Sequence, residues 1–90
     1  MPDVCLKIRD FVQIIARNLV KDPATAQLRI GQTGEKNYRM RLLLSQPDVA
    51  RMIGRNGMTI SAIRSLIQAA LDGSDYKVKF EVLSHEEAGE

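Results

Sequence analysis

The 90-residue sequence has no tryptophan, one cysteine (Cys5) and one histidine (His85). A lone cysteine excludes an internal disulfide and a cysteine-based metal cluster. A lone histidine, set among Ser84, Glu86 and Glu87, excludes a multi-histidine metal site and leaves Ser61 and Ser65 without a credible base. Cys5 reads as a helix residue in a reducing cytosol. Long apolar runs are missing too, and none approaches the ~20 residues needed to cross a bilayer. Lys7, Arg9 and Asp10 interrupt the apolar stretches near the N-terminus, so a secretory pattern is absent and a cytoplasmic protein is expected. Asp48, Asp72 and Asp75 fall at predicted helix ends, where capping and solvation explain them without acid–base work. A non-enzymatic protein with no metal, cofactor or small-molecule substrate is expected.

What remains is an ordinary globular composition, 44% hydrophobic and 27% charged, with room for one core. The formal net charge is +2, but it is unevenly placed. Glu86, Glu87 and Glu90 lie in residues 84–90, which carry no Lys or Arg and are expected to form an acidic, flexible tail. Residues 1–83, the expected single domain, therefore hold 13 basic side chains against 8 acidic ones, a net of +5. That excess suits an anionic partner without identifying one.

Periodicity organises the chain into six elements. Asp3 is a candidate N-cap for a first helix with Val4, Ile8, Phe11, Val12, Ile15, Leu19 and Val20 on its apolar stripe, ended by Asp22-Pro23. Ala26, Leu28 and Ile30 then alternate as a strand, Gly31-Gln32-Thr33-Gly34 is turn material, and Tyr38, Met40, Leu42 and Leu44 alternate as a second strand. Arg29, Arg39 and Arg41 share the open face of this hairpin, either as a solvated surface or as a flank for an anionic partner. Ser45-Gln46-Pro47-Asp48 has capping-box form and opens a short helix facing inward through Val49, Met52 and Ile53. Gly54 stops it, and a longer helix follows Arg55-Asn56-Gly57, with Ile60, Ile63, Leu66, Ile67, Ala70 and Leu71 on its stripe and Gly73 at its close. Tyr76, Val78, Phe80 and Val82 mark a third strand. Two helices separate strands two and three, so their pairing is parallel and strand two is central. The expected fold is α+β, ordered α-β-β-α-α-β, with a three-stranded mixed sheet and three helices on one face.

The stretch from Met52 to Arg64 carries the chemistry. A glycine at each end of a four-residue link between helices is by itself only a tight turn. Physics allows a second use. Missing Cβ atoms at Gly54 and Gly57 let a ligand backbone approach, and the link feeds the first turn of a helix, where amides lack partners and the dipole is positive. A phosphate fits such a site, with Arg55 as a cation and Asn56 as a hydrogen-bonding group.

The spacing Ile53-Gly54-x-x-Gly57-x-x-Ile60, with Arg64 four residues on, resembles the signature of KH domains, and the element order is similar to their type II arrangement. The likeness covers roughly residues 4–83, and a free-standing domain of this size resembles small bacterial RNA-binding members of the family. It implies single-stranded RNA binding, with about four nucleotides clamped at the glycine loop. Gly54, Arg55, Asn56 and Gly57 would contact the backbone, Ile53 and Ile60 would line the apolar side of the groove, and Met58 and Arg64 would flank it. Many relatives carry a basic residue where this chain has Met58. The resemblance further implies an RNA chaperone or post-transcriptional regulator. It would act as a homodimer, or with a larger KH-containing protein, in cell-envelope and cell-length control. The only aromatics, Phe11, Tyr38, Tyr76 and Phe80, fall on core-facing positions, so an exposed base-stacking platform of the RRM or OB-fold kind cannot be built.

Two other readings follow from the same residues. Met52 and Met58 are adaptable apolar contacts that suit a protein partner, which makes an association module with weak or no RNA binding the alternative. A helix-turn-helix DNA reader using Arg55 and Arg64 fits the paired helices but leaves the regular strands without a role.

Overall fold

Helix α1 (Asp3–Leu19) is followed by a hairpin of β1 (Gln27–Gly34) and β2 (Asn37–Leu44). Helices α2 (Gln46–Ile53) and α3 (Met58–Leu71) and strand β3 (Lys77–Ser84) complete the chain, in a computed structural model that describes residues 1–89. The sheet order is β1-β2-β3, antiparallel between β1 and β2 and parallel between β2 and β3. This is the expected α-β-β-α-α-β fold of type II KH form. The crossover through two helices imposes the parallel pairing and puts β2 at the centre, where Leu42, Leu43 and Leu44 are all buried. Among the described residues, no helix is long and apolar enough to cross a membrane.

Alternation sorts the sheet residues between two faces. Met40, Leu42, Leu44 and Phe80 join one core with Cys5, Ile8, Val12, Met52, Ile60, Ile63, Ile67 and Leu71 from the helices. All three helices therefore bury their stripes on the same sheet face. Burial of that apolar surface is the main stabilising term. It also pushes the Cys5 thiol pKa up, because a thiolate there would be poorly solvated.

Several local expectations are corrected. Pro2, not Asp3, is the N-cap residue of α1; Asp3 lies in the first turn and pairs with Lys7. The helix ends at Leu19, three residues before Asp22, and Val20 is already extended. Its buried side is Cys5, Ile8, Val12 and Ala16, so Leu19 is exposed rather than inward. Gly31 and Gly34 lie in β1, and the hairpin turns at Glu35 and Lys36 with a bulge between Gln32 and Gly34. Cross-strand hydrogen bonding carried both strands past the glycines, a long-range gain invisible to local turn chemistry. On α2 and α3 the packed side is narrower than the apolar pattern: Ile53, Leu66 and Ala70 are exposed. The capping box also does not form. Ser45 makes no side-chain cap bond, and Asp48 turns inward instead.

The chain does not stop its contacts at residue 83. Ser84 is a buried part of β3, and its backbone N–H donates to Glu87. The His85 N–H donates to the Leu44 carbonyl, and His85 Nε2 lies 2.7 Å from the Thr25 carbonyl oxygen.

Candidate nucleic-acid interface

The link between α2 and α3 is a bend with little side chain in it. Gly54 has φ +79°, Asn56 +56° and Gly57 +73°, so three of four consecutive residues sit at positive φ. The two glycines are there for different reasons. At Gly54 an added Cβ would stand 2.3 Å from Thr59 Oγ1 and 2.7 Å from Thr59 Cβ, so the first turn of α3 fills that space. At Gly57 a Cβ would meet nothing within 4 Å, so only the left-handed backbone asks for glycine. Asn56 tolerates the same region better than most residues.

The bend is held open by its own backbone. The Gly57 N–H donates to the Gly54 carbonyl, and the Met58 N–H to the Arg55 carbonyl. Gly57 is the N-cap of α3, and no side chain caps that helix end. Arg55 and Asn56 are exposed on the bend.

Asp48 fixes where α2, and hence the bend, begins. Its carboxylate is 1% exposed and accepts from the Lys21 N–H at 2.9 Å, the Asp22 N–H at 3.0 Å, Ser45 Oγ at 3.2 Å and Arg51 Nη1 at 3.1 Å. The Lys21 amide, with help from Asp22, Ser45 and Arg51, outweighs the cost of burial and holds the carboxyl pKa below its usual value. This knot also ends α1 early, since it draws two backbone N–H groups out of helical pairing. Sequence reading missed it because the partners are 26 and 27 residues away.

The remaining expected site residues divide into three places. Ile60 is buried beneath the bend, while Ile53 at the end of α2 is 38% exposed. Met58 is 67% exposed and belongs to an apolar groove between α1 and α3, lined also by Phe11, Ile15, Leu19, Ala62 and Leu66. Arg64 points the other way. Its Nε and Nη2 both donate to the Phe80 carbonyl at 3.2 Å, tying α3 to the edge strand β3. There it lines a cleft of about 240 Å³ with Ile67, Gln68, Val78, Lys79 and Phe80. Arg64 thus lies on the α3 side next to β3, whereas Met58 faces α1. Thr59 and the Phe80 carbonyl are site elements that the sequence did not announce. Among the described residues no group of three or more His, Cys, Asp or Glu could hold a metal ion.

Residues 9–82 match the family model described as KhpA/KhpB, KH domain. The RNA-binding protein KhpA of Chlamydia caviae is 32% identical over 76 residues, covering 84% of this chain and 96% of its own length. Borreliella burgdorferi KhpA is 32% identical over 74 residues, covering 82% and 89% respectively. Streptococcus pneumoniae KhpA is 38% identical over 60 residues, covering 67% and 75%. No solved structure gives a significant match.

Proposed function

The chain belongs to the KhpA/KhpB family of KH domains, and on that premise we propose that it binds single-stranded RNA through the glycine bend 54–57. One observation carries the reading: three positive-φ residues in a row of four leave a bend without bulky side chains at the uncapped start of α3. A phosphate placed there meets backbone amides and the helix dipole, with Arg55 supplying mobile charge. Bases would lie toward the α3–β3 cleft, where an edge strand offers unpaired backbone groups to base edges. Ile53, which is exposed, gives the apolar side while Ile60 stays in the core, and Arg64 braces the cleft through its bonds to Phe80.

The protein acts by binding and not by catalysis. Amide chemical-shift mapping with a short oligoribonucleotide tests the site: shifts centred on residues 54–57 are expected. Unmoved amides there, or a folded Gly57→Asp variant that binds RNA as wild type does, would refute it.

A second reading is supported by the α1–α3 groove, where Leu19, Met58 and Leu66 are exposed large apolar side chains. It makes the domain an association module, paired with a second copy through that groove. The two readings are compatible because groove and cleft lie on opposite sides of α3. The biological setting we propose is an RNA chaperone or post-transcriptional regulator in the cytoplasm. There it would pair with itself or a larger KhpB-like partner in cell-envelope and cell-length control. Sequencing of RNA crosslinked in cells, with co-purified proteins identified, tests that setting.

A further inference from the structure

We propose that the open face of the sheet is a second surface for the sugar–phosphate backbone of single-stranded RNA, centred on a trough around Gly31. It rests on RNA being the polyanion of the first reading, but it concerns the opposite layer of the molecule.

Register places the charges. Arg29 stands opposite Arg41, and Gly31 opposite Arg39, across β1 and β2. Across β2 and β3, Arg39 stands opposite Lys79, Arg41 opposite Glu81 and Asn37 opposite Lys77. Their neighbours Met40, Leu42 and Phe80 go into the helical core, so these residues all point away from it. Among the described residues of the three strands, five cations and one carboxylate share the face, and that carboxylate is hydrogen-bonded by Arg39.

Two features set this face apart from a merely solvated one. The first is charge: Glu81 stands beside Arg39, Arg41 and Lys79 and is hydrogen-bonded by Arg39, so one carboxylate is shared among three cations. An anion lying beside Arg41 adds attraction that Glu81, held by Arg39, supplies only in part. The second feature is Gly31. Its φ lies outside the left-handed region and a Cβ would meet nothing within 4 Å, so neither backbone nor packing requires glycine. Glycine weakens a strand interior and serves bulges, corners or close approach by a ligand, and the bulge of this strand falls beyond Gly31, between Gln32 and Gly34. Its missing side chain leaves a trough of about 500 Å³ lined by Arg29, Arg39, Arg41, Ile30 and Thr33. Planar guanidinium groups around such a trough match phosphate oxygens in pairs. The cations run on to Lys79 and Lys77 along the neighbouring strand, a track that follows a backbone without reading bases.

The test uses the full chain and two oligouridylates, one of about four nucleotides to fill the glycine bend alone. The other has about 16 nucleotides, enough to reach further. Affinities are measured by fluorescence anisotropy from about 50 to 200 mM salt. For Arg41→Gln/Lys77→Gln, neither of which lines the α3–β3 cleft, affinity for the longer RNA should fall on the order of tenfold, the equivalent of one charge-assisted contact. Its salt slope should shrink by about 1.4 if two phosphates are released. Affinity for the short RNA should stay unchanged. Gly31→Val fills the trough with a good strand former, so it should melt at or above the wild-type temperature yet bind the longer RNA more weakly. Unchanged binding of the longer RNA by both variants overturns the proposal. So does equal weakening for both lengths, which reports a general field and not a contact. Poly-glutamate bound as tightly as RNA, and lost with the same variants, would assign the face to acidic polypeptide and overturn it as well. If wild type ignores the short RNA, the glycine-bend reading fails, while the longer RNA still decides the open face. Wild type that ignores both lengths overturns both.

Discussion

Alanine at Gly54 and at Gly57 should have very different effects, although both glycines sit at positive φ. Forcing a Cβ into that region costs about 1–2 kcal/mol at either position. At Gly57 that is the whole penalty, because a Cβ there meets nothing within 4 Å. At Gly54 the new atom would stand 2.3 Å from Thr59 Oγ1, 2.7 Å from Thr59 Cβ and 3.0 Å from the Thr59 backbone N, so α3 has to shift. Overpacking of this kind adds about 1–3 kcal/mol, giving about 2–5 kcal/mol in total. For a chain of this length, with total stability of about 5–13 kcal/mol, that difference is large. Urea unfolding followed by circular dichroism, analysed with a common slope, resolves it. Thr59→Gly removes two of the three clashing atoms, so Gly54→Ala in that background should recover on the order of 1 kcal/mol or more of coupling. Equal costs at Gly54 and Gly57, or no coupling to Thr59, would refute the reasoning. The same arithmetic makes Gly57→Asp the better probe of RNA binding, since Gly54→Asp mixes lost binding with lost folding.

Asp48 gives a pH prediction. Its pKa is depressed in the folded protein, so the stability it contributes is fully present above its usual value of 3.8 and is lost as pH falls through the lower folded value. The urea midpoint should hold steady down to about pH 5 and fall steeply below about pH 4, and Asp48→Asn should lower it at neutral pH and flatten the acid limb. Glu81, held down by the hydrogen bond from Arg39, works in the same direction, so some acid sensitivity should persist in that variant. Arg64→Ala should cost about 1 kcal/mol of stability through the two lost bonds to Phe80. It should weaken short-RNA binding less than Arg55→Ala does, as parallel melting and anisotropy measurements would show. Met58→Glu and Leu66→Glu alter exposed positions and should change stability by no more than about 0.5 kcal/mol. In light scattering they should shift any dimer toward monomer; an unmoved dimer would place its interface elsewhere.

Element order, sheet pairing and the glycine bend were legible in the sequence because each rests on short-range pattern. Alternation in Tyr38, Met40, Leu42 and Leu44 marks a strand wherever it occurs, and two intervening helices leave parallel pairing as the only economical return. Gly54 and Gly57 likewise announce a bend from composition alone. Boundaries were less legible. Nothing near Leu19 shows that α1 stops there, because the cause is a carboxylate at Asp48. Gly31 reads as turn material until pairing with Arg39 holds it in a strand.

The amino-acid order alone therefore determined which segments are helix and strand, how they connect, and where a side-chain-poor bend precedes a helix. Tertiary packing decided the rest. It made Gly54 obligatory through Thr59, turned Arg64 to the edge of β3 and left Met58 facing α1. It also gathered Arg29, Arg39, Arg41 and Lys79 on one face. Each of these depends on atoms brought within a few ångströms by folding and far apart along the chain. Periodicity records which side a residue takes, but only the closed structure fixes what stands opposite.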